Sequence, residues 1–157
     1  MIAITKRKKG AKRMNLSPSF TLEEMVLSDT ATRLGLQNKP SQLAFENLMA
    51  LCSNVLEPAH TELGALRILS GYRSPELNAA VGGARDSQHT LGQAADILPL
   101  DVTRVSAFAW FRRAGQFDQL IREFPPEGWI HVSWAQPARH VVLLAERVDG
   151  TTRYTRL

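Results

Sequence analysis

Apolar spacing changes character at Leu66, and that switch bounds the fold of this chain more tightly than any other feature of it. Before Leu66 the apolar residues recur at helical intervals. Thr21 is an N-cap with Glu24 three residues on, completing a capping box. Ser41 opens a long helical pattern through Leu43, Leu48, Leu51, Val55 and Leu56, expected to stop near Glu57-Pro58, where proline supplies no N–H. After Leu66 short strand-like runs take over: Leu66 to Arg73, Ala94 to Leu100, Phe117 to Ile121 and Trp129 to Trp134. Val141 to Ala145 and Thr151 to Tyr154 flank Val148-Asp149-Gly150, a hairpin turn signal. Two helices interrupt the strands. One starts at Ser74-Pro75 and ends at Gly82-Gly83; the other runs from Val102 to Ala114, with Val105, Phe108, Ala109 and Phe111 on it, and closes at Gly115. Helices first and strands after predict an α+β fold, a small and mostly antiparallel sheet with N-terminal helices.

A length of 157 residues fits one domain with a single core. Hydrophobic residues at 44% and charged ones at 22% exclude a disordered chain, and no apolar run approaches the roughly 20 residues of a membrane span. The net charge of +4 is unevenly placed. Six of the 19 basic residues (Lys6, Arg7, Lys8, Lys9, Lys12, Arg13) lie in the first thirteen, where no acid occurs, which leaves a body of net charge −2. The chain therefore divides into a basic flexible tail, 1–13, and a domain, 14–157. With an acidic body and neither a recognition helix nor a row of stacking aromatics, no specific nucleic-acid partner is expected. A signal peptide is not expected either, because Met14-Asn15-Leu16-Ser17-Pro18 follows the charges in place of an apolar stretch.

One cysteine, Cys52, excludes an internal disulfide and a thiolate zinc cluster, so a metal would need His and carboxylate ligands. Cys52 falls within the apolar repeat and reads as a buried structural thiol. His60 reads as a surface or capping residue. Ser87-Gln88-His89-Thr90-Leu91-Gly92-Gln93-Ala94-Ala95-Asp96 sets a histidine and an aspartate seven apart, and His131 follows 35 residues after Asp96. Two imidazoles and a carboxylate make a zinc ligand set, and three protein ligands leave a fourth position for water, as in catalytic sites. On spacing alone the same trio also occurs in domains that bind no metal.

Three segments taken together, Ser70-Gly71-Tyr72-Arg73-Ser74, Ser87-x-His89-x-x-Gly92-x-Ala94-x-Asp96 and Trp129-x-His131-Val132-Ser133, resemble the M15 family of zinc D-Ala-D-Ala carboxypeptidases and phage L-alanyl-D-glutamate endopeptidases. That fold is shared with the amino-terminal domain of hedgehog proteins. The resemblance runs from Met14 to about Trp134. It implies that His89, Asp96 and His131 hold one zinc ion, that Arg73 receives a substrate carboxylate or carbonyl, and that Ser87 and Gln88 are polar neighbours in the same pocket. A zinc peptidase also needs a general base. Several members carry Glu or Asp three residues before the last histidine, where this chain has Gly128; by likeness to the hedgehog-type strand, Glu123 is expected as the base, with Glu127 as the alternative. Asp118 reads as structural. Trp129 stands where some relatives have a further histidine, and it and Trp134 read as pocket wall or core; His140 reads as a surface residue. The implied function is hydrolysis of a peptide bond in the peptidoglycan stem peptide or cross-link, as carboxypeptidase or endopeptidase. The expected form is a monomer such as a phage endolysin, cytoplasmic until lysis releases it, or else virion-associated. The alternative is a non-catalytic, zinc-stabilised cell-wall or protein-binding module of the same fold.

Overall fold

A computed structural model describes residues 13–157; the basic tail expected over 1–13 lies outside the described residues except for Arg13. The N-terminal third is helical: α1 (Leu22–Val26), α2 (Asp29–Leu34), α3 (Gln42–Leu51) and α4 (Glu57–Leu63), the last two joined by a π-helical stretch, Cys52–Leu56. The capping box forms as the sequence predicts: Glu24 N–H donates to Thr21 Oγ1, while Glu24 Oε2 accepts from Thr21 N–H at 3.0 Å. Ser41 caps α3 by accepting from Ala44 N–H.

The long helix does not stop at Pro58. It continues to Leu63, because the chain widens to π pitch just before the proline. Glu57 N–H donates five residues back, to the Cys52 carbonyl, and the wider turn relieves the clash that a proline ring makes with an α-helical carbonyl. Ala44, Leu48, Leu51, Cys52, Val55 and Leu56 form the buried stripe; Leu43, expected on it, is 64% exposed. Likewise α6 (Arg104–Ala114) buries Ala107 and Phe111 and turns Val105 to solvent.

Six strands follow: β1 (Leu66–Ser70), β2 (Ala94–Pro99), β3 (Gln119–Glu123), β4 (Trp129–Ser133), β5 (Val141–Val148) and β6 (Thr151–Arg156). Helix α5 (Pro75–Ala80) and a 3-10 turn (Gln88–Leu91) lie between β1 and β2. The sheet order is β1-β2-β4-β3-β5-β6, with every pairing antiparallel except β3 with β5. The expected α+β fold with a small, mostly antiparallel sheet is therefore the observed one.

Strand alternation gives the sheet two unlike faces. One row, Ala95–Val132–Leu120–Val142, runs across β2, β4, β3 and β5 and is buried in the core with Ile97, Ile130, Leu48, Leu51 and Phe111. The adjacent row, one residue along each strand and thus on the opposite face, is Ser70–Asp96–His131–Ile121–Leu143–Arg156. The pleat that fills the core with one set therefore brings Asp96 and His131 side by side on the other face.

Candidate metal centre

His89 reaches this face from the 3-10 turn before β2. Ser87 Oγ caps the turn by accepting from His89 N–H at 3.3 Å, and Gly92 closes it at φ +71°. A Cβ on Gly92 would run into the Ala44 carbonyl of α3, so glycine is required here twice over, by conformation and by close approach. Asn47 of α3 holds the same turn by donating to the Leu91 carbonyl at 2.8 Å.

His89, Asp96 and His131 are each more than nine-tenths buried and offer ligand atoms within 4.8 Å of one another. Asp96 Oδ1 lies 3.3 Å from His89 Nε2 and 3.0 Å from His131 Nδ1. His89 Nδ1 is 2.7 Å from the Gly71 carbonyl, which can only accept, so Nδ1 carries a proton, while Nε2 faces the Asp96 oxygen. When Nε2 is unprotonated, its lone pair and the carboxylate oxygen converge on one point, where a cation can be held. Two imidazole nitrogens and one carboxylate oxygen fit zinc, with its fourth position left open. The Gly71 carbonyl is the outer partner that orients one imidazole; His131 Nε2 is buried with no partner among the described residues. Burial works against the Asp96 charge, but the facing His89 and His131 outweigh it and hold this carboxyl far below the usual range.

These residues line a cleft of about 610 Å³ that also takes in Arg73, Ser87, Gln88, Glu123 and Trp129. Arg73 is half committed: Nε donates to Ser70 Oγ and Nη2 to Asp96 Oδ2, each at 2.9 Å. Gln88, expected as a substrate neighbour, donates to Asp118 Oδ2 at 2.9 Å. Asp118 is 1% exposed and accepts from the backbone N–H and the Nε of Arg139, so it ties the His89 turn to the segment before β5. Glu123 ends β3 on the cleft face and is 7% exposed, whereas Glu127 is exposed on the β3–β4 turn and does not line the cleft. Burial pushes the Glu123 carboxyl above its usual range, Asp96 adds to that, and His131 and Arg73 oppose it. Gly128 has no space for an acid, since a Cβ there would strike the Glu123 carbonyl. Trp129 forms cleft wall edge-on to Phe124 at 5.4 Å; Trp134 packs on the core, and His140 is exposed. Sequence reasoning passed over Leu143 and Tyr154, which line the cleft from β5 and β6.

A family model described as Peptidase M15 matches residues 18–133, well over half of the chain. The chain belongs to the M15 peptidase family. Members of this family are peptidases and generally zinc-dependent, in keeping with a His-Asp-His cluster that can hold a metal. The M15 match spans α1 through β4, with every residue of the trio and both glutamates, and ends before the β5–β6 hairpin. A search of curated proteins gives no match. Among the described residues no helix is long and apolar enough to cross a membrane.

Proposed function

We propose that this M15 member is a zinc peptidase that hydrolyses a peptide bond in the stem peptide or cross-link of peptidoglycan, with His89, Asp96 and His131 as the ligands of one zinc ion. The observation that carries the reading is a buried carboxylate, Glu123, on the same cleft face as the three converging ligand atoms. When bound, zinc supplies a Lewis acid that polarises the scissile carbonyl and makes water acidic enough to attack at neutral pH. Glu123 takes the proton from the attacking water as its oxygen bonds to the carbonyl carbon. It then gives that proton to the amine nitrogen as the carbon–nitrogen bond breaks. A carboxyl held above its ordinary pKa is a stronger base than a solvated one, which favours Glu123 over the exposed Glu127. Arg73 has Nη1 left over from its bonds to Ser70 and Asp96, and that end of the guanidinium receives a carbonyl or carboxylate of the substrate. Ser87 and Gln88 act behind the ligands, by fixing the turn that carries His89.

The peptidoglycan assignment rests on the likeness of the three motifs to enzymes that cut such peptides. A wall-directed role after release from a cell or virion agrees with the cations of residues 1–13, which would raise encounter with an anionic wall. The test is to incubate the purified chain with peptidoglycan, with and without a chelator, and identify new termini by mass spectrometry. Soluble fragments that vanish with chelation and with His131→Ala support the enzyme. One metal per chain with no cleavage sinks it in favour of a binding module.

A further inference from the structure

The cleft has a wall that the family match does not reach. Residues 18–133 end with β4, yet Leu143 of β5 and Tyr154 of β6 line the cleft. Their placement follows from register. Glu123 pairs with Ala145 across the parallel β3–β5 ladder, and Ala145 pairs with Tyr154 across β5–β6, so the three share one line and one face of the sheet. Ala145 is fully buried and small, which leaves the tyrosine ring free to lean over it toward Glu123. The hairpin is also latched to the rest of the site: the Arg147 guanidinium lies 5.1 Å from the centre of the Phe124 ring, which meets Trp129 edge-on. Tyr154 is half exposed, and among the described residues its hydroxyl makes no hydrogen bond, although it sits in a cleft lined with polar groups. A phenol has one proton to donate and carries no charge. In a cleft that also holds the carboxylates of Glu123 and Asp96 it suits a neutral peptide carbonyl and not a second anion.

We propose that Tyr154 is a substrate-binding residue whose hydroxyl donates a hydrogen bond to a carbonyl of the bound peptide on the Glu123 side of the cleft, with Leu143 packing against the adjoining side chain. This rests on the peptidase reading above. It makes the β5–β6 hairpin, outside the matched residues 18–133, a wall that sets what lies beside the scissile bond.

The test uses the full-length, zinc-loaded chain and a soluble muropeptide mixture. Tyr154→Phe raises KM and lowers kcat/KM by about 3- to 10-fold, the size of one neutral hydrogen bond, with zinc content and melting temperature unchanged. Arg153→Ala, on the opposite face of β6, leaves both kinetic constants alone. A Tyr154→Phe enzyme within twofold of wild type overturns the proposal. Binding of the same muropeptides to zinc-loaded Glu123→Gln and to its Tyr154→Phe derivative separates the two readings. If wild type cleaves nothing, the peptidase reading falls, and weaker binding by the phenylalanine derivative still upholds the Tyr154 contact. Equal binding, or no binding to either, overturns it.

Discussion

Asp96 is the most heavily used side chain of the site. Its Oδ1 faces both histidines and its Oδ2 receives Arg73, so one buried charge orders His89, His131 and Arg73 together. Asp96→Asn, of nearly equal volume, removes that charge; bound zinc measured by plasma emission falls from about one per chain to near zero, since the ligand must be anionic. Glu123→Gln has the opposite signature. It keeps zinc and fold while cleavage drops by about 10²-fold or more, and Glu127→Gln stays close to wild type in the same assay. Gly128→Glu, which would restore an acid three residues before His131, collides with the Glu123 carbonyl. Its unfolding free energy falls by about 1–3 kcal/mol, and combining it with Glu123→Gln restores no cleavage. The sequence left the two glutamates undecided because they sit four apart in one segment. The pleat of β3 separates them, by turning Glu123 onto the face of His131 while Glu127 rides out on the turn.

At the scale of elements, the helix through Cys52 and Pro58 shows where a local rule meets a tertiary one. Proline predicts a stop, yet the buried stripe needs Val55, Leu56, Ala59 and Leu63 on one wall of the core, and a π stretch reconciles the two. Leu51→Ala in that stripe costs about 2–5 kcal/mol in denaturant unfolding, because the site is fully buried and collapses poorly around a cavity. Cys52, legible as structural from its place in the apolar repeat, is fully buried with its thiol pushed up to about 12. The elements around the site were legible in turn: the Pro75 start, the Gly115 stop and the Asp149-Gly150 hairpin all stand where the sequence puts them. What Gln88 does was not. Its partner Asp118 is 30 residues away, and only the closing of the sheet brings them together.

Across the whole molecule, acid sensitivity follows from the buried carboxylates. Asp118 is buried, which alone would raise its pKa, but Arg139 and Gln88 outweigh this and hold it below the ordinary aspartate value; Asp96 is depressed in the same sense. A depressed folded-state pKa means that the unfolded chain binds more protons in that range. These groups therefore give stability that is present above about pH 4 and lost as the pH falls through the depressed values. Glu123, raised by burial, works in reverse: its folded form keeps the proton longer, so its contribution declines as pH rises past the ordinary glutamate value. With two groups against one, the melting temperature of metal-free protein falls as the pH drops below about 4, and Asp118→Asn flattens that slope in a calorimetric pH series. Zinc held by the proposed ligands adds to this by mass action, so chelation is expected to lower the melting temperature at pH 7, an effect lost in Asp96→Asn.

By itself the sequence determined the succession of helices before strands, most of the caps, the burial of Cys52 and the histidine-aspartate-histidine set, because each depends on residues near one another or on a short motif. The tertiary structure decided which side chains meet. A strand has two faces, and its period tells which residues share one, but only pairing tells what lies across from them. The order β1-β2-β4-β3-β5-β6, with its single parallel join, sets Asp96 beside His131, turns Glu123 into the cleft and brings Tyr154 over from the last strand. No spacing in the chain encodes that last approach, because it runs through two ladders and one small alanine.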